Sequence, residues 1–428
     1  LVYWLSSRYQ SQIPPLPQDE RIQVYLNHRS DRQFTEPYRP KTRQGEDLAA
    51  QIITAITGAQ SRIDVAVQEL RLPHIAQALA DRARAGVQVR VILENNYSRP
   101  GSELTAAEID SLPRREQERY AEFRQLVDLD RDGHLSQSEI EQRDALIILR
   151  RANIPILDDT ADGSKGSGLM HHKFMVVDDQ QVIVTSANWT MSDIYGDFNH
   201  PHSEGNQNNL VQIASTELAQ LFTTEFNLMW GDGVGGNFDS QFGVQKLPRS
   251  PRTVMVGSTA VTVQFSPSSS SQPWEETSNG LIGKLLTSSR QGIDFALFVF
   301  SDPDLGQAIR NQASQGVKVR GLIDRQFVNR DYSQGLALMA GRCALPADQV
   351  ARIGVASLPA GDLLHHKFAT IDRHTVITGS HNWSIAANHT NDETVLIIQN
   401  NPTVAAHFDR EFERLYQDAA VAISNQCS

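Results

Sequence analysis

Apolar residues occupy alternate positions at Ile22, Val24 and Leu26, which predicts a strand with one buried face near the start of the chain. A short, largely apolar run follows at Ile63-Asp64-Val65-Ala66-Val67, then a stretch of helical periodicity, then a second run at Gly86-Val87-Gln88-Val89-Arg90-Val91-Ile92-Leu93-Glu94. Strand, amphipathic helix and strand in that order predict a right-handed βαβ crossover in a buried sheet. Gly86 stands where the helix needs a C-cap residue.

The pattern then returns. Ile293-Asp294-Phe295-Ala296-Leu297 and Gly316-Val317-Lys318-Val319-Arg320-Gly321-Leu322-Ile323-Asp324 repeat the first crossover at a constant offset of 230 residues. The alternating opening recurs as Val261, Val263 and Phe265, and a closing helix with Phe222, Phe226 and Trp230 recurs with Phe408, Phe412 and Tyr416. Apolar residues four apart on those helices predict one face packed on the core. The reading is a duplicated α/β unit: an N-terminal tail at 1–20, a first domain at 21–230, a linker at 231–258 and a second domain at 259–428. The linker opens on Gly231-Asp232-Gly233-Val234-Gly235-Gly236, and the Ser/Pro run from Ser266 to Ser271 reads as a surface loop. Neither segment is long enough to hold the halves apart, so two pseudo-symmetric α/β/α domains are expected to pack face to face.

Candidate chemistry lies after each crossover. Met170-His171-His172-Lys173-Phe174-Met175-Val176-Val177-Asp178 is matched by Leu364-His365-His366-Lys367-Phe368-Ala369-Thr370-Ile371-Asp372. Residues two apart on a strand share a face, so His171 points with Lys173 and His365 with Lys367. Downstream stand Thr185-Ser186-Ala187-Asn188-Trp189 and Gly379-Ser380-His381-Asn382-Trp383, at the same offset of 194 residues as the histidines. A single His-x-Lys is more often a core histidine beside a solvated lysine. Two at equivalent positions, each followed by Ser-x-Asn, point to a catalytic pair.

This paired motif resembles the phospholipase D superfamily across most of residues 20–420. The resemblance implies one active site shared between the halves, hydrolysis of a phosphodiester through a phosphohistidine, and chemistry that needs no metal. Lys173, Lys367, Asn188, Asn382, Ser186 and Ser380 are then expected to neutralise and hold the phosphoryl oxygens. Asp178 and Asp372 are expected to buttress their own motifs. One histidine attacks while the other acts as general acid and then activates water. Asn391-Asp392-Glu393-Thr394 carries the Glu that the family usually provides to orient a catalytic histidine, whereas Asn206-Gln207-Asn208-Asn209 puts Asn208 in its place. If these partners reach across the interface, Glu393 serves His171 as nucleophile and Asn208 serves His365 as acid; if they stay in their own half, the roles reverse. Thr185, where the family usually has Gly, is expected to tighten the first phosphate pocket.

The copies differ in length between these landmarks. The offset falls from 230 to 194, so the first copy holds 36 extra residues, within an insertion at about 98–150. Inside it, Asp128-Leu129-Asp130-Arg131-Asp132-Gly133-His134-Leu135-Ser136-Gln137-Ser138-Glu139 resembles an EF-hand loop, with oxygen ligands at positions 1, 3, 5, 9 and 12, Gly at 6 and an apolar residue at 8. The candidate calcium ligands are Asp128, Asp130, Asp132, His134, Ser136 and Glu139, and helices are expected at about Arg114 to Val127 and Gln137 to Arg151. Leu104-Thr105-Ala106-Ala107-Glu108-Ile109 echoes Leu135 to Ile140, but Tyr97 to Gly101 lacks carboxylates, so one structural or regulatory calcium is expected.

Composition narrows the substrate only partly. A net charge of −11 and a pI near 5.6 work against tight nonspecific binding of nucleic acid. The His-His-Lys-Phe and Ser-x-Asn-Trp wording is similar to the nuclease branch of the superfamily, while the acidic balance suits a lipid head group. Phospholipid is slightly favoured, a nuclease is the alternative, and a non-catalytic calcium-binding interaction protein is the third reading. Survival of both His, both Lys and both Asn argues against the last. With both half-sites in one chain, a monomer acting at a membrane surface is expected. Leu1-Val2-Tyr3-Trp4-Leu5 reads either as the stump of a signal or anchor segment of an exported or membrane-anchored protein or as an arbitrary starting point. Cys343 and Cys427 are too few for a disulfide scaffold or a four-cysteine zinc site.

Overall fold

The two copies build two sheets with one shared strand order, in a computed structural model that describes residues 14–163, 168–340 and 349–421. The first sheet runs Ile22–Leu26, Asn209–Ala214, Gln181–Thr185, Lys173–Val177, Arg62–Val67, Gln88–Leu93 and Ile156–Asp158. The second runs Thr259–Ser266, Glu393–Gln399, Thr375–Gly379, Lys367–Ile371, Gly292–Leu297, Lys318–Ile323 and Arg352–Val355, with Arg252–Val256 and Ala420–Val421 added at its edges. In both, the two crossover strands are parallel and the His-x-Lys strand lies antiparallel beside the first of them. Register is equivalent too: Val67 faces Lys173 and Leu297 faces Lys367.

Side chains repeat the symmetry. Arg90 makes two hydrogen bonds to Asp64 at 2.7 and 2.8 Å, and Arg320 does the same to Asp294 at 2.7 and 2.6 Å. Each guanidinium also lies over the aromatic rings of a closing helix, Phe226 and Trp230 in one half, Phe412 and Tyr416 in the other. Gly86 and Gly316 both follow the crossover helix with φ of +94° and +86°, a conformation that costs a residue with a Cβ.

The closing helices Thr216–Trp230 and Pro402–Gln417 lie between the sheets. One continuous apolar cluster joins Phe174, Phe222 and Phe226 to Phe265, Phe368, Phe408 and Phe412. Each ring so buried contributes roughly 1.5–3 kcal/mol. The halves are thus fused through their largest core, while separate clusters cover the outer faces under Leu48–Gly58 with Pro73–Arg84 and under Ser278–Thr287 with Pro303–Ser314. Among the described residues no helix is long and apolar enough to cross a membrane.

Several expectations change in detail. The end of the expected linker, Arg252–Val256, is a strand hairpinned to Thr259–Ser266. Ser266 and Ser268 are buried rather than on a surface loop, because the Ser266 hydroxyl donates to the Asn391 carbonyl and Ser268 N–H to that of Asn388. The single helix expected from Gln137 breaks into Gln137–Arg143 and Ala145–Arg151 at Asp144. Its carboxylate caps the second helix at Leu146 N–H and accepts from Ser102, which draws the backbone out of the helical path. Leu1 to Leu5, Cys343 and Cys427 lie outside the described residues.

Candidate active site

Each His-x-Lys strand begins where the backbone of one half hydrogen-bonds to the backbone of the other. His171 N–H donates to the Asp392 carbonyl, and Gln207 N–H to that of Leu363. Backbone exchanged in this way carries side chains across the interface. His171 Nδ1 lies 2.7 Å from Glu393 Oε2, and His365 Nδ1 lies 3.1 Å from Asn208 Oδ1. Both orienting partners therefore serve the opposite half. A ring nitrogen held by an oxygen acceptor carries its proton there, which leaves Nε2 of each histidine as the base. Neither Nε2 has a hydrogen-bond partner among the described residues.

Electrostatics follow from burial. Both histidines are only 7% exposed, and Lys173 and Lys367 are fully enclosed. Loss of water, then the two ammonium groups, push both imidazoles well below their usual range, so they are neutral at pH 7. Desolvation also brings Lys173 down to about 8 and Lys367 to about 7, the second lowered further by the first. Lys173 Nζ donates to the His171 carbonyl and to Gln68 Oε1, at 2.9 and 3.2 Å. Lys367 Nζ donates to the His365 carbonyl at 2.7 Å and sits 5.1 Å from the Phe298 ring centre. Two cations without a carboxylate in direct contact form a site for an anion.

The remaining candidates divide. The side-chain oxygens of Asn188 and Asn382 are buried without partners, and among the described residues their NH₂ groups make no hydrogen bond, which leaves those donors for a ligand. Ser186 and Ser380 do not face it: their hydroxyls donate at 2.7 Å to Asn208 Oδ1 and Glu393 Oε2, turned back by accepting from Asn209 and Thr394 N–H. They hold the orienting partners, not the phosphate. Asp178 accepts from the backbone N–H groups of Gln60, Ser61 and Arg62, and Asp372 from those of Arg290, Gln291 and Gly292. Each pins the far end of its strand to the start of the crossover, away from the histidines. Thr185 does not narrow the pocket either, since its hydroxyl donates to the Asn209 carbonyl. Gly379 has no such freedom, because at φ +127° a Cβ would run into the Thr394 carbonyl oxygen. Trp189 and Trp383 are wholly buried in the outer cores.

Sequence reasoning missed Gln68 and Phe298, which stand at equivalent positions at the ends of the crossover strands and touch the two lysines. It also missed Asp193, whose carboxylate lies 3.4 Å from His365 Nδ1. Behind the site, Lys246 from the expected linker pairs with Glu225 and Asp392 at 2.5 and 2.6 Å, and His172 and His366 face Glu225 and Glu411. These pairs fix the strands that carry the catalytic candidates.

The insertion sits beside the site. A cavity of about 150 Å³ separates its helices from the strand end at Glu69 and the turn at Thr190 to Ser192. In its loop Asp128, Asp130 and Glu139 bring carboxylate oxygens within 4.8 Å of one another. The Ser136 hydroxyl and N–H, with Leu129 N–H, pull the Glu139 carboxyl down to about 2. Asp132 and the Ser136 hydroxyl stand outside that group; the first accepts from His134 N–H and the second donates to Glu139. Gly133 takes φ +83°, as the turn requires.

The family profile described as "Cardiolipin synthase, PLD-like domain" matches residues 52–230 and 282–416. The chain is similar to a mitochondrial cardiolipin hydrolase of Xenopus tropicalis, 34% identical over 134 residues that cover 31% of this chain and 59% of the relative. It is also similar to a phospholipase D of Rickettsia typhi, 27% identical over 129 residues that cover 30% of this chain and 58% of the relative. The chain thus spans about three fifths of the length of these curated relatives. Among solved structures, phosphatidylserine synthase of Haemophilus influenzae Rd KW20 shares the fold, with a TM-score of 0.61 at 14% identity over 95% of this chain and 88% of that one.

Proposed function

The chain belongs to the phospholipase-D-like family, in the group described by cardiolipin synthase, and from that premise we propose that it is a phosphodiesterase that hydrolyses phospholipids through a phosphohistidine. The observation that carries this reading is the pair of neutral histidines held across the interface, each beside an enclosed lysine. His171 Nε2 attacks phosphorus and forms the P–N bond while the P–O bond to the leaving group breaks. The bound phosphate anion offsets the charge of the two lysines and favours the imidazolium form of His365. His365 thus takes up a proton at Nε2 as substrate binds and gives it to the departing alkoxide. Water then attacks phosphorus, His365 Nε2 takes its proton, and the P–N bond breaks to restore His171. Lys173, Lys367, Asn188 and Asn382 hold the non-bridging oxygens throughout. Acid catalysis of this kind is worth about 10²–10⁴ in rate.

Phospholipid is preferred to nucleic acid because the relatives are named for cardiolipin and phospholipid substrates and the chain carries a net charge of −11. The reading also places one calcium ion in the insertion, acting on structure or regulation. Asp128, Asp130 and Glu139 supply hard oxygen ligands, and Asp128 Oδ1 is buried without a partner. None of the proposed steps passes through that ion.

The test is incubation of the protein with cardiolipin and phosphatidylcholine vesicles, a plasmid and a bis-aryl phosphate, each with and without EDTA. Lipid head-group release that persists with EDTA is expected. Plasmid cleavage without lipid turnover would transfer the protein to the nuclease reading, and complete loss restored only by a transition metal would end the metal-free mechanism.

A further inference from the structure

Asn208 is an unusual partner for a catalytic histidine, because an amide offers an oxygen or an NH₂ and the two are nearly isosteric. Only the oxygen holds His365 with its proton on Nδ1 and a bare Nε2. The NH₂ would impose the opposite tautomer and remove the base. What decides between them lies behind the amide. Asn208 Nδ2 donates to Asp193 Oδ1 at 3.2 Å and to the carbonyls of Asp193 and Asn206 at 3.0 and 3.3 Å. Asn208 Oδ1 is left to accept from Ser186 and His365.

Asp193 is itself surrounded by donors. Its carboxylate accepts from Asn188 N–H at 3.1 Å and from Asn206 Nδ2 at 2.8 Å, it is 4% exposed, and Oδ1 lies 3.4 Å from His365 Nδ1. The second half has no counterpart. At the same offset of 194 residues stands Ala387, and there Glu393 contacts its histidine directly. One half has the carboxylate at the start of its strand and alanine on the short helix that precedes it; the other has the amide just before its strand and the carboxylate on the preceding helix.

We propose that Asp193 is the positioning residue of the His365 half-site: it fixes the orientation of the Asn208 amide, and with it the His365 tautomer, and supplies the negative charge that Asn208 lacks. This rests on the phosphodiesterase reading for its kinetic consequence but not for its structural one. In Asp193→Asn, kcat on a lipid diester, whose alkoxide needs an acid, should fall about 10–100-fold with KM little changed. A bis-aryl phosphate should lose less, because its leaving group needs no acid. Combining Asp193→Ala with Asn208→Glu rebuilds the arrangement of the other half and should recover most of the lost kcat. A merely structural Asp193 would not be rescued this way, since Asn188 N–H would still lack its acceptor. The second measurement needs no turnover: ¹⁵N shifts of labelled histidines, assigned with His365→Ala, should show His365 protonated at Nδ1 in the parent and a mixed tautomer in Asp193→Asn. An Nε2-protonated His365 in the parent, or unchanged kcat and tautomer in Asp193→Asn, would overturn the proposal. If the parent turns over no diester, the phosphodiesterase reading falls while the tautomer measurement still decides this one.

Discussion

The two half-sites share a strand register, a cross-domain hydrogen bond and a lysine two residues on, yet they surround those groups differently. His171 rests on a carboxylate and its lysine touches the Gln68 amide oxygen; His365 rests on an amide backed by Asp193, and its lysine lies against the Phe298 ring. Duplication supplies two equal scaffolds, and the reaction needs unequal partners. The difference is made at the ends of strands and in the turns after them, where a side chain changes without disturbing the core. A histidine bound directly to carboxylate is the stronger base, which is why the proposed mechanism gives His171 the attack on phosphorus.

The largest effects should come from breaking that division. His171→Ala should form no phosphoenzyme with a bis-aryl phosphate, whereas His365→Ala should still be phosphorylated, because an aryl leaving group departs without a proton. Glu393→Gln should slow phosphorylation about 10–100-fold by removing the charge behind His171. Intact-protein mass spectrometry after a short incubation reads all three. Phosphate on His365 in the His171→Ala protein would reverse the roles.

A second test addresses the lysines. Anionic substrate is held by ammonium, not amine, so the proton must be present for tight binding. With Lys367 at about 7 and Lys173 at about 8, kcat/KM should decline as pH rises through 7 to 8, where an ordinary lysine would stay charged to above 10. Phe298→Gln copies the amide of the first half onto the second and eases the desolvation of Lys367. The alkaline limb should then move upward by a fraction of a pH unit to one unit, about 1.4 kcal/mol at most. A limb that stays in place would assign it to another group.

Much of this arrangement was legible in the sequence, for physical reasons that also explain what was not. Period-two alternation puts His171 with Lys173 and His365 with Lys367, and a constant offset between copies is a constraint on the fold itself. Asp193 escaped because it looks ordinary. Thr190 caps the short helix Met191–Ile194 by accepting from Asp193 N–H, so Thr-x-x-Asp reads as a helix start, and comparison with the other copy meets Ala387. Ser186 and Ser380 were placed on the wrong side because a hydroxyl at a strand end has several rotamers, and the choice depends on backbone N–H groups from a distant strand. Gln68 and Phe298 showed no motif; only the 230-residue offset, followed one position past the apolar run, pairs them.

The smallest effect on chemistry is expected where the halves differ most in sequence, in the insertion that only the first half carries. Its loop is already folded by its own hydrogen bonds: Gly133 N–H to Asp128, Asp132 N–H to Asp130, and Leu129 and Ser136 N–H to Glu139. What those bonds do not offset is the mutual repulsion of three carboxylates drawn within 4.8 Å. A bound cation removes that repulsion, so calcium should raise the melting temperature of the parent, and chelation should lower it. Asp128→Ala deletes the ligand whose Oδ1 has no other partner and should abolish both the shift and the calorimetric binding signal. Phosphoenzyme formation on a bis-aryl phosphate should persist in that variant, because both histidines and both lysines are held by bonds from outside the insertion. Calorimetry that finds no calcium binding to the parent would remove the ion from the proposal and leave the insertion as a helical wall of the neighbouring cavity.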